Sequence, residues 1–176
     1  MKKTIYSVLA TLAICAVAFG GQDYKSMKEV VEPAPPPAPC IEGGEFILGL
    51  FGGYVHTDDS LQGYNEDSFA GGAELLYAVT RNLVLGAEYY AFSDEPAHAY
   101  NGVVQVRFPI DCFSPYVFDT VGGIVDGDNV FAVGGGAGFE YRITNGFGVF
   151  TDGRYVYGDS GDETSVFVRG GIRFAF

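Results

Sequence analysis

Beyond residue 40 the sequence has no apolar run approaching the ~18 residues that a membrane-crossing helix requires. If that part of the chain spans a bilayer, it must do so with strands closed into a barrel, because hydrocarbon offers backbone polar groups no other partner. Tryptophan is absent, and lysine is absent after Lys28. Basic residues number 10 against 22 acidic ones. That balance leaves nothing to neutralise phosphates and excludes nucleic acid as a partner. Histidine occurs only as His56 and His98. With Asp58 and Ser60, or Ser93 and Asp94, these histidines reproduce the residue types of a hydrolytic set. Such clusters are common by chance in polar loops, so no catalytic residue and no enzyme activity are expected. The acidic segments lack EF-hand spacing, and no metal or cofactor is expected. Gly134-Gly135-Gly136-Ala137-Gly138 is not followed by a helical pattern and is therefore not read as a phosphate loop.

The amino terminus has its own character. Two lysines, an apolar stretch from Ile5 to Phe19 and small residues at Ala16, Ala18, Gly20 and Gly21 predict an export signal over residues 1–20. Its removal takes Lys2 and Lys3 and leaves 8 basic residues against 22 acidic ones, a net charge of −14. Residues 21–43 form a polar tail containing Pro33, Pro35, Pro36, Pro37 and Pro39. Proline at that density makes an extended, semi-rigid spacer without a core. A third region, residues 44–176, is expected to fold as one domain.

From Phe46 onward the sequence alternates strand and turn. Strands are predicted at 46–56, 68–79, 83–93, 98–108, 114–124, 129–143, 146–157 and 164–176, most of about 11 residues, the length of a tilted membrane-crossing strand. The connections alternate in kind. Three are tight, at Thr80-Arg81-Asn82, Pro109 to Phe113, and Thr144-Asn145. The other four hold 11 of the 22 acidic residues and no lysine or arginine. In an up-and-down barrel, alternate connections lie at opposite ends. One rim is thus acidic and the other made of short turns, as in barrels with short periplasmic turns and longer outer loops.

Alternation within strands separates two faces. In the sixth strand Gly134, Gly136, Gly138, Glu140 and Arg142 share a side opposite Val133, Ala137, Phe139, Tyr141 and Ile143. In the eighth, Arg169, Gly171 and Arg173 oppose Val166, Val168, Ile172 and Phe174. The mid-strand acids Glu74, Glu88, Asp119, Glu140 and Asp152 match the bases Arg107, Arg142, Arg154, Arg169 and Arg173 in number. A balanced, glycine-rich charged face suits a crowded lumen, where an unpaired charge costs several kcal/mol. The aliphatic and aromatic face would then meet lipid. Tyr54, Tyr77, Tyr89, Tyr116, Tyr155, Tyr157 and Phe174 are assigned to aromatic girdles. In the fifth strand the assignment of faces rests on Asp119 alone. The expected architecture is an all-β, eight-stranded antiparallel up-and-down transmembrane barrel, too narrow to leave an open bore.

The stretch from Gly136 through Glu140, Arg142, Thr144-Asn145-Gly146 and Asp152 to Tyr157 resembles the penultimate hairpin of OmpA-type and opacity-type outer-membrane barrels. The last strand resembles their carboxy-terminal signature, with Phe176 terminal and Phe174, Ile172, Val168 and Val166 alternating before it. The resemblance implies residence in the bacterial outer membrane among lipids and lipopolysaccharide. It also implies recognition of Phe174 and Phe176 by the barrel-assembly machinery. The resemblance is to the barrel alone, so cell-wall anchoring by a peptidoglycan-binding domain is not among the expectations it implies. The expected role is structural or at the surface, with a narrow, low-conductance path through a charged lumen as a variant. An adhesin or ligand-binding surface protein, and a soluble lipocalin-like carrier, are the alternatives. Cys40 and Cys112 both fall at the periplasmic end, where an oxidising compartment permits a disulfide; two free or intermolecular thiols are the other reading.

Overall fold

The computed structural model describes residues 40–58, 67–93, 97–126, 128–158 and 163–176. The expected export signal, residues 21–39 of the proline-rich tail, and most of three of the four acidic connections lie outside these residues. Eight strands follow in order: β1 (Phe46–Asp58), β2 (Asp67–Ala78), β3 (Leu83–Phe92), β4 (His98–Arg107), β5 (Phe113–Asp126), β6 (Asp128–Thr144), β7 (Phe147–Gly158) and β8 (Glu163–Ala175). Each pairs antiparallel with its sequence neighbours, and β8 returns to β1 to close the barrel. Phe46 and Phe176 exchange two backbone hydrogen bonds of 2.9 Å at the foot of that seam. Closure leaves no free edge strand, so backbone polar groups within the wall are paired by the wall itself.

Short turns occupy one end. Between β4 and β5 the chain reverses at Asp111-Cys112, bracketed by reciprocal hydrogen bonds between Ile110 and Phe113 of 2.7 and 3.0 Å. Asp111 adopts a left-handed φ of 54°, which an aspartate in a turn tolerates. Between β2 and β3 the Thr80 Oγ1 accepts from the Leu83 N–H at 3.0 Å. The start of β1 and the end of β8 lie at this same end, the end that short turns mark as periplasmic in barrels of this kind.

The residue pattern dictates the wall's two faces. Leu50, Leu75, Leu85, Val104, Val149 and Val168 point outward and are largely exposed, Val168 at 53%. Exposed aromatic pairs mark both ends of this belt. Phe46 packs on Tyr77 and Phe147 on Phe174 at the periplasmic end, and Tyr54 on Phe69 at the other. Inside, the arginines and carboxylates are almost fully buried. Apolar exterior, aromatic girdles and polar interior are the arrangement of a protein that crosses a bilayer with strands.

Candidate functional site

The chemistry of this fold is concentrated in the barrel interior. At mid-height, Glu88 of β3 is held by both Nη atoms of Arg154 on β7, with Nη2 at 2.9 Å. The same carboxylate accepts from Arg169 Nη1 at 2.9 Å and from Asn101 Nδ2 at 3.0 Å. Arg169 on β8 also donates through Nε to Asp152 Oδ1 at 2.8 Å, and Asp152 Oδ2 accepts from the Tyr116 hydroxyl at 2.8 Å. Glu74 on β2 joins Arg169 to Arg173, whose Nε lies 2.5 Å from Glu74 Oε1. Arg173 then reaches Glu140 on β6 at 2.8 Å. The network ties together strands from opposite sides of the ring, and its desolvated charges are compensated by charge-assisted, forked hydrogen bonds.

Aromatic rings complete the packing. Arg169 Cζ lies 4.4 Å from the centroid of Phe51, and Arg173 Cζ lies 4.0 Å from that of Phe150. Such contacts favour a desolvated guanidinium. Toward the outer end the lumen is filled by Phe51, Val55, Tyr90 and Phe167, with Phe92 and Ile124 against them. Toward the periplasmic end, Ile47, Leu76, Val84 and Val103 fill the side nearest β1 to β4.

No protein-family model and no curated protein sequence matches the chain. Solved structures do match. The amino-terminal β-barrel domain of Pseudomonas aeruginosa OprF superimposes with a TM-score of 0.62 at 16% identity, covering 77% of this chain and 99% of that one. Neisserial surface protein A gives 0.63 at 15% identity, covering 76% and 99%. Ail, the attachment invasion locus protein of Yersinia pestis, gives 0.51 at 15% identity, covering 76% and 99%. The chain has the fold of a small outer-membrane β-barrel.

In this barrel, nine of the ten charged residues read from the sequence as lumenal lie inside: Glu74, Glu88, Arg107, Glu140, Arg142, Asp152, Arg154, Arg169 and Arg173. Asp119 does not. On β5 the buried set is Ser114, Tyr116, Phe118 and Thr120, so Asp119 shares the outward, lipid-facing side with Val117 and Val121. It pairs in register with Val104 of β4 and Gly135 of β6. The expectation that Asp119 orients the strand inward is therefore corrected. Both faces of β5 are largely apolar, and packing of Tyr116 and Phe118 around the arginines decides the orientation. Tyr116 is corrected with it, from a girdle aromatic to a buried donor in the network. The fifth carboxylate of the interior is instead Glu45, just before β1, whose Oε2 lies 3.2 Å from Arg142 Nη2.

Cys40 and Cys112 are joined by a disulfide with Cα atoms 5.0 Å apart. Residues 40–45 thereby run as a strap from the β4–β5 turn to the foot of β1, on the opposite side of the ring. The Gly44 N–H donates to Ala78 O at 2.6 Å, and Ile41 is 1% exposed. Gly44 has a left-handed φ of 89°, which glycine adopts without strain. A Cβ on Gly43 would stand 3.1 Å from Thr80 Cα, so the strap lies flush against the β2–β3 turn.

His56 lies on the outer rim with Nδ1 2.7 Å from Asp67 Oδ1, and His98 packs on the exterior ring of Tyr89. Ser60 and Asp94, the residues that would complete a hydrolytic set, lie outside the described residues. Among the described residues no group of three or more histidine, cysteine or acidic side chains is placed to hold a metal ion.

Proposed function

We propose that this chain is a closed outer-membrane barrel of the bacterial envelope with a structural or surface role rather than one in transport. One observation carries the reading: the interior is occupied along its length. The aromatic cluster around Phe51, Tyr90 and Phe167 fills the outer third, the arginine–carboxylate network the middle, and the Cys40-to-Glu45 strap underlies the periplasmic mouth. Eight strands enclose just enough space for their own side chains. The outward belt supplies the surface for envelope lipids, and lipopolysaccharide is the expected outer-leaflet partner. Phe174 and Phe176, exposed at the periplasmic foot of β8, form the ridge that barrel-assembly machinery would grip.

Conductance of the purified protein in planar bilayers tests the reading. A closed barrel gives no ohmic steps above the bare membrane. Stable, voltage-independent steps from the unmodified chain would replace it with a narrow pore. A soluble carrier is separated by fractionation: it leaves with the periplasm, whereas this barrel requires detergent.

A further inference from the structure

The wall of the barrel closes without the strap. Its seam begins at Phe46, which exchanges backbone hydrogen bonds with Phe176. Just ahead of the seam, Gly44 and Glu45 extend the β1–β2 pairing: the Gly44 N–H donates to Ala78 O, and the Ala78 N–H donates to Glu45 O. Upstream of Gly44 that pairing stops. Among the described residues, none of Cys40, Ile41, Glu42 and Gly43 makes a backbone hydrogen bond to the wall. This segment is held instead by burial of the Ile41 side chain and by the Cys40–Cys112 bond. Fixing the backbone of such a segment costs more conformational entropy than burial of one isoleucine side chain returns. The covalent bond therefore decides whether the segment stays in place.

That bond is within reach of a reagent. Cys40 and Cys112 are both only partly buried, and Cys112 follows the exposed Ile110 and Asp111 in the β4–β5 turn. Gly43 and Gly44 stand between the bonded segment and the wall, and Gly44 is already in the left-handed region. Two adjacent glycines make a swivel there. Behind the bond lies the floor of the charge network. The Arg142 N–H donates to Cys112 O at 2.8 Å, and Arg142 Nη2 lies 3.2 Å from Glu45 Oε2. The Arg142 side chain is completely buried, and that of Glu45 is 18% exposed.

We propose that the Cys40–Cys112 bond is a redox latch. A protein dithiol on the periplasmic side opens it, residues 40–43 swing out about Gly43 and Gly44, and water reaches the Arg142–Glu45 pair at the lumen floor. In the exchange, a thiolate of the dithiol attacks one sulfur of the bond, expels the other cysteine and forms a mixed disulfide. The second thiol of the dithiol then displaces the cysteine still bound. Two electrons and two protons pass to Cys40 and Cys112, which end as thiols, while the dithiol ends as a disulfide. The wall stays closed because its first strand begins only at Phe46. The latch acts at the periplasmic floor alone. The cluster around Phe51, Tyr90 and Phe167 fills the other end in either state, so the inference does not depend on whether the barrel conducts.

The test uses the unmodified full chain, folded in detergent without denaturant, with dithiothreitol as the dithiol. Alkylation by iodoacetamide and peptide mapping read the bond, unheated gel mobility reads the wall, and hydroxyl-radical footprinting reads the strap. Both cysteines should become alkylated while the folded mobility is retained. Oxidation of Ile41 should rise several-fold, and that of Phe51 and Phe167 should stay constant. Reoxidation with diamide should restore the protection of Ile41. Cys40→Ser should show the higher Ile41 signal with or without dithiothreitol. A bond that resists dithiothreitol until the barrel is unfolded makes the disulfide a static staple and overturns the proposal. So does reduction that unfolds the wall, or an Ile41 equally protected in the oxidised and reduced protein. These readouts are made on the unmodified protein, so a variant that fails to fold does not remove the test.

Discussion

Glu88 on β3 and Arg154 on β7 meet across the barrel interior through both guanidinium Nη atoms, although 66 residues separate them in sequence. Neither side chain touches water, and Glu88 also receives Arg169 and Asn101. Removing one partner of a buried pair leaves an uncompensated charge. Glu88→Ala is therefore expected to lower the stability of the folded barrel by about 3–5 kcal/mol. Adding Arg154→Ala should recover part of that loss, because the pair fails as a unit. Urea titration of folding into lipid vesicles measures both effects, and purely additive losses would count against the pairing.

Asp119 is a carboxylate on the lipid-facing side near the middle of β5. Acidic residues on the lipid face of a barrel destabilise less than the ~2–4 kcal/mol of a basic one at the midplane, but they still destabilise. Asp119→Val is expected to stabilise the barrel by about 1–2 kcal/mol in vesicles. The gain should shrink in a detergent micelle, which lets water reach the belt. A loss of stability in vesicles would return Asp119 to the lumen.

Glycines on the two faces predict opposite outcomes. A Cβ on Gly136 would stand 2.2 Å from Gly153 O and 2.9 Å from Arg154 Cα, both backbone atoms. Gly136→Ala should destabilise by about 1–3 kcal/mol through overpacking. A Cβ on Gly153 meets nothing within 4 Å. Gly153→Ala, facing lipid, should stay within about 0.5 kcal/mol of wild type. The same vesicle titration compares them.

The Cys40–Cys112 bond holds the strap beneath the periplasmic mouth. Non-reducing peptide mapping should recover the two cysteines in one linked species. Cys112→Ser should cost about 2–4 kcal/mol of stability and free Ile41 for protease and labelling reagents. Unlinked thiols in the intact protein would contradict the strap.

Much of this fold was legible because the period-two alternation of β6, β7 and β8 carries charge on one face and bulky apolar groups on the other. Predicted and observed strand ends there differ by at most one residue. Turn chemistry located the tight connections for the same local reason. β5 was illegible because both its faces are apolar, and a single aspartate is a poor guide to orientation. Ser114, Thr120 and Gly122 on the true inner face were the weaker but correct signal. β1 likewise carries apolar residues on both faces, because Ile47, Phe51 and Val55 point inward to the apolar clusters at the two ends of the lumen. Aromatic filling of an interior otherwise marked by charge is a tertiary property, set by which rings can stack on guanidinium planes. Glu45 was missed because it precedes β1 and acts only once the strap brings it to Arg142.

The barrel's inside-out arrangement requires hydrocarbon outside the wall and ion pairs inside. A lipid-soluble photoactivated carbene reagent, generated in vesicles holding the folded barrel and mapped by mass spectrometry, reads this directly along β8. Val168, Ile172 and Phe174 should carry the label while Arg169 and Arg173 are spared. Labelling of Arg169 and Arg173 with Val168 and Ile172 untouched would contradict it.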